Sequence, residues 1–158
     1  MFKKRNIYIL ISLILIVWIG SVVISKNLVS DKNPPKRYTG IIIGNEADNI
    51  LKRVCFNCHS NETAWPWYTS LPIISVLISS DVSGAREHLN FSNWESIPKD
   101  KRVFYLEMAL NEIELGEMPP FIYKLGHPEA KLNQDDLNIL KNQAKLLGIS
   151  FDIGNKSN

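Results

Sequence analysis

The chain has 158 residues, a formal net charge of +2 and 22% charged residues, enough for one domain of ordinary size once an apolar front segment is set aside. Its Lys and Arg residues are scattered, so no basic stripe is offered to a phosphate backbone and nucleic acid is excluded as an expected partner. Its two cysteines, Cys55 and Cys58, stand too close together to staple distant parts of the chain, and their role is therefore local.

In chain order, the first element is an uncharged apolar run from Ile7 to Ile24, 18 residues long, against a lower limit of ~17 for a transmembrane helix. Lys3, Lys4 and Arg5 precede it, as they do in a helix inserted with its N-terminus inside, or in a signal peptide. Residues 1–25 are expected to be a retained transmembrane anchor, with a cleaved signal peptide as the alternative. The basic residues after the run, Lys26, Lys32, Lys36 and Arg37, leave the positive-inside rule without a clean reading. Residues 26–43 contain Pro34 and Pro35 and lack apolar periodicity, which predicts a linker. The folded domain is expected over 44–148, and 149–158 as a flexible tail.

Within that domain, Ala47, Ile50, Leu51 and Val54 recur at helical spacing after acidic Glu46 and Asp48, predicting a short helix that runs straight into Cys55. A second helix is predicted over 71–89, with Pro72 in its first turn, Ile73, Ile74, Leu77 and Ile78 as its apolar side, and Gly84 near its end. The third follows Pro98, carries Val103, Leu106, Leu110 and Ile113 as a buried stripe, and stops at Gly116. The fourth opens on Asn133 as N-cap, places Leu137, Leu140, Ala144 and Leu147 on one face, and ends at Gly148. No segment sustains the alternation of a strand, so the fold class is all-α: an N-terminal transmembrane helix followed by a small helical domain.

Cys55, Phe56, Asn57, Cys58, His59 is the Cys-x-x-Cys-His pattern of c-type heme attachment. Two thiols at i and i+3 lie on one side of a helical turn, where they can add to the two vinyl groups of one porphyrin as thioethers. His59 follows directly and can supply the proximal iron ligand. A zinc half-site would need about four ligands, and only His88 and His127 remain to complete it. A redox dithiol of thioredoxin type would need a βαβ context, which is absent. One covalently attached heme c is therefore the expected cofactor.

A second axial ligand has to come from elsewhere. Met118, in the stretch Gly116, Glu117, Met118, Pro119, Pro120, would place a thioether on a stiff non-helical turn and ranks first. His127 is its rival, ahead of His88, and Met108 fits a core role better. Trp65, Trp67, Tyr68, Phe91 and Trp94 can pack on a porphyrin or simply fill a core. Arg86 and Arg102 are candidates to neutralise propionates, although exposed arginines are the default.

Three stretches, Cys55 to Trp67 (CFNCHSNETAWPW), Asp81 to Trp94 (DVSGAREHLNFSNW) and Gly116 to Pro128 (GEMPPFIYKLGHP), together resemble the bacterial heme-binding domain family of exported, membrane-anchored single-heme c-type cytochromes. The resemblance runs from about Leu51 to Leu140, with a departure at Val76, where members often carry Trp. It implies Cys55 and Cys58 as thioether sites, His59 as proximal ligand and Met118 as distal ligand. Two functions are compatible with these residues. An electron carrier, with both axial positions filled by protein, is preferred to a heme enzyme or ligand sensor of peroxidase type with an open distal site. The carrier reading places the heme domain on the periplasmic side of the cytoplasmic membrane, with unidentified redox proteins as partners.

Overall fold

A computed structural model describes residues 4–28, 33–37 and 40–149. Residues 150–158 of the expected tail, and residues 29–32 and 38–39 of the expected linker, lie outside the described residues. The described residues form seven α-helices and three short 3-10 turns, with no strand, so the chain is all-α. They divide into two units, residues 4–28 with 64–84, and residues 33–37 and 40–63 with 85–149.

The first unit holds helix α1 (Lys4–Leu28), a 3-10 turn at Trp67–Ser70 and the first three turns of α4 (Pro72–His88). The stretch Lys4–Val23 of α1 is long and apolar enough to cross a membrane, and none of it is buried inside the protein. That pattern, apolar on every side and covered by nothing, suits a lipid environment. Pro72 opens α4 as expected, and the helix runs through Gly84 to His88, within the predicted span of 71–89. Its apolar side departs from expectation. Ser75 and Val82 are the buried positions, whereas Ile73 is 73% and Leu77 59% exposed.

The second unit carries the core. Helices α2 (Asn45–Val54), α3 (Phe56–His59), α5 (Lys99–Leu115), α6 (Phe121–Gly126) and α7 (Gln134–Leu146) belong to it, with 3-10 turns at Phe91–Ser96 and Pro128–Ala130. Leu51, Leu106, Leu110 and Leu140 are fully buried at its centre, joined by Phe91 and Trp94. The predicted stripe of α5 is therefore correct at Leu106, Leu110 and Ile113 but not at Val103, which is exposed. Met108 is 52% exposed and is not a core residue. Gly116 closes α5 in the left-handed conformation at φ 79°, which a residue without Cβ adopts at no steric cost. Asn133 caps α7 through a capping box with Asp136, and Leu140 and Ala144 point inward while Leu147 stays exposed.

Two features extend the packed region beyond 44–148. Ile42 and Ile43 are buried, held by the Asp48 carboxylate, which accepts hydrogen bonds from the backbone N–H groups of Ile42, Ile43 and Gly44 at 2.9, 2.8 and 3.2 Å. Ile149 at the other end is buried too. Residues 33–37 are tied by hydrogen bonds as well: Asn33 donates to the Thr63 carbonyl, the Pro35 carbonyl accepts from Asn61, and Arg37 donates to Asn93.

Candidate functional site

Cys55 ends α2, its N–H bonded to the Leu51 carbonyl at 2.8 Å, and α3 starts at the next residue. One tight turn then closes over the motif, because the N–H groups of Cys58 and His59 both reach the Cys55 carbonyl, at 3.1 and 2.8 Å. Cys55, Cys58 and His59 are thus brought onto a single turn. Both thiols are free of any disulfide and half-buried. Burial, with the Cys58 thiol alongside, pushes the Cys55 thiol up to about 12. It is therefore held as a neutral thiol near neutrality.

The two residues between the cysteines hold the turn from behind. Phe56 is buried and stacks on Phe91, ring centroids 5.3 Å apart at 12°, with Trp94 behind Phe91 at 6.0 Å. Such pairs contribute about 0.5–1.5 kcal/mol beyond the area they bury. Phe91 and Trp94 are consequently core residues that support the motif from below. The Asn57 side-chain amide donates to the Tyr123 hydroxyl at 2.7 Å, and its carbonyl accepts from the Thr63 hydroxyl at 2.7 Å.

His59 is oriented by the end of α4. Its Nδ1 lies 3.0 Å from the Leu89 carbonyl oxygen. An imidazole that donates from Nδ1 to a backbone carbonyl carries its lone pair on Nε2, the atom needed by a metal. Desolvation, which outweighs the raising effect of backbone carbonyls such as that of Leu89 and is aided by His88, lowers its pKa below the ordinary histidine value. A neutral ring is the ligating form.

The exit from the motif is clamped. Arg86 donates from Nε to the Ser60 carbonyl at 2.8 Å, and from Nη2 to the Thr63 hydroxyl at 2.9 Å and Asn33 at 2.8 Å. Arg102 donates to the Ile97 and Glu95 carbonyls and to the Glu95 carboxylate, and lies over the Trp94 ring. Both arginines offered by the sequence as propionate partners are thus engaged with protein acceptors. An open polar depression bounded by Arg37, Asp48, Lys52, Phe56 and Asn57 lies beside the motif, but neither cysteine nor His59 lines it.

Met118 lies in the non-helical stretch 117–120, as expected; it is 37% exposed, while Pro119 next to it is buried. The N–H groups of Glu117 and Met118 both donate to the Glu112 carbonyl, at 3.0 and 3.1 Å. His127 is stacked on Tyr123 with centroids 4.2 Å apart, and its Nδ1 is 2.8 Å from Glu129 Oε1. His88 is exposed in the last turn of α4. Among the described residues no group of three or more His, Cys, Asp and Glu could hold a metal ion, so the zinc reading finds no completing ligands there.

Sequence reasoning missed Asn57, Tyr123 and the Leu89 carbonyl. The first two stand inside quoted motif stretches as residues of no evident chemistry, and a backbone carbonyl leaves no signal in sequence. The donor set fits a heme: two thiols outside any disulfide and an oriented imidazole share one turn. No curated protein and no solved structure matches the chain. The description of one family, Haem-binding domain, matches residues 14–145. That span takes in most of α1, the whole motif and nearly all of α7, and the chain belongs to the Haem-binding domain family.

Proposed function

We propose that the protein carries one heme c, bound covalently through Cys55 and Cys58 and ligated by His59, and that it transfers electrons at the outer face of a membrane to which α1 anchors it. The observation that carries this reading is the juxtaposition of two thiols outside any disulfide and an imidazole on one turn, with Nδ1 of that imidazole already committed to the Leu89 carbonyl. Such a partner fixes ring orientation and raises ligand basicity. Heme would supply the one-electron couple. The chain's own part is to hold the turn rigid through Phe56, Asn57, Ser60 and Thr63, and to keep the His59 ring neutral.

The exposed apolar residues support the same reading. Large apolar side chains left on the surface of a soluble unit mark a site that something apolar covers, and Phe121, Ile122 and Leu125 are 70%, 81% and 65% exposed. Met118 is the proposed distal ligand, since its thioether would favour the ferrous state and close the iron to other molecules. His127, stacked on Tyr123 with its Nδ1 on Glu129, stays the rival ligand.

Absorption spectra of the purified full chain in both oxidation states test the function. A carrier is expected to be low-spin in each state and slow to bind carbon monoxide. A high-spin protein that takes up carbon monoxide or peroxide readily would replace this reading by a heme enzyme or ligand sensor with an open distal position.

A further inference from the structure

Helix α6 buries no side chain. A six-residue helix is also too short to persist on its own hydrogen bonds, so it has to be held by something other than core burial. Its N-terminal side is tied to α5 through the Glu112 carbonyl, which accepts from Glu117 and Met118. Its own tether is Tyr123. The half-buried Tyr123 accepts a hydrogen bond from Asn57 Nδ2 at 2.7 Å, and its ring lies flat on His127 at 4.2 Å and 15°. Asn57 is the residue directly before Cys58 in the attachment motif.

We infer that Tyr123 is a positioning residue that locks the 117–127 segment to the Cys55–His59 turn, so that the two sides of the heme are held to one another by the Asn57–Tyr123 hydrogen bond. This rests on the heme reading above. Asn57 is suited to the role because its backbone carbonyl is already fixed by Thr63, whose hydroxyl in turn accepts from Arg86. The amide therefore starts from a rigid base. Tyr123 is suited because its ring can stack on His127 while its hydroxyl reaches the motif; phenylalanine would keep the stack and lose the tie. The His127–Glu129 pair then serves to orient the ring on which Tyr123 rests.

Tyr123→Phe, Asn57→Leu and the double variant of the full chain, loaded with heme, decide the matter. Each single variant should keep covalent heme but weaken the sixth ligand, seen as a fainter long-wavelength sulfur-to-iron band and carbon monoxide affinity raised about fivefold, the scale set by one neutral hydrogen bond. The double variant should go no further, as expected for two ends of one contact. In the unloaded chain, the Asn57 side-chain amide protons should exchange slowly and lose that protection in Tyr123→Phe. A loaded wild type whose band and affinity are unchanged by Tyr123→Phe, or whose two single effects add, overturns this inference alone. A wild type that never acquires covalent heme overturns the reading beneath it as well.

Discussion

His59 shows how much one side chain owes to its surroundings. Its proposed role as iron ligand follows from position in the motif, but its tautomer is set by the Leu89 carbonyl, 30 residues further along. The same division holds for the two candidate second ligands, Met118 and His127. Sequence alone ranks them; the structure gives His127 a stacking partner and a carboxylate, and leaves Met118 more than a third exposed on a segment bracketed by Glu112 and Tyr123. Met118→Ala is expected to abolish the long-wavelength band of the ferric protein, lower the reduction potential and open the iron to carbon monoxide. His127→Ala should leave a low-spin spectrum. Spectral titration of both variants checks this, and a high-spin His127→Ala beside an unchanged Met118→Ala would reverse the assignment. That Cys55, Cys58 and His59 share one turn was legible because their spacing alone dictates it. Tyr123, Asn57 and Arg86 were not legible as supports, because a hydrogen bond across 66 or 26 positions leaves no local pattern.

At the scale of elements, caps and periodicity carried α2, α5 and α7, where a stop or start residue coincided with a stripe that is in fact buried. The same logic misplaced the face of α4: Ile73 and Leu77 have the spacing of a core stripe, yet they lie exposed, because periodicity reports that a face is apolar and not what covers it. Helix α6 was missed since its six residues are too few for a period. Its neighbour α7 is fastened differently, by Arg53 on α2, which pairs with Asp136 at 2.7 Å and also donates to the Glu129 and Lys131 carbonyls. Burial alone would raise the Asp136 carboxyl, but the Asn133 N–H and the Arg53 guanidinium together hold it below the usual carboxylate range. A carboxylate so depressed contributes stability that is full above its unfolded value of roughly 3.9 and fades as pH falls through its lower folded value. Arg53→Met should therefore destabilise the fold by about 2 kcal/mol near pH 7, as expected for loss of hydrogen bonds to a charged group. The deficit should shrink below about pH 4. Urea unfolding at both pH values reads it; an equal deficit throughout would assign the effect to packing.

For the molecule as a whole, an apolar helix precedes a Cys-x-x-Cys-His motif whose thiols, on the proposed function, would meet heme in reduced form outside the cytoplasm. The helix is shown by its length and composition, and the side on which the second unit lies is a prediction. A reporter fused after Asn158 that works only when exported should be active, and one that works only in the cytoplasm should be silent. The opposite result would invert the topology. Most direct of all is the mass of the intact full chain, produced with a cytochrome c maturation system and measured under denaturing conditions, since thioether bonds survive denaturation and coordination bonds do not. The account predicts the polypeptide plus one heme, with Cys55→Ala and Cys58→Ala each weakening retention. A wild-type chain that gives up all its heme to acidified organic solvent, and weighs only its polypeptide, would contradict it.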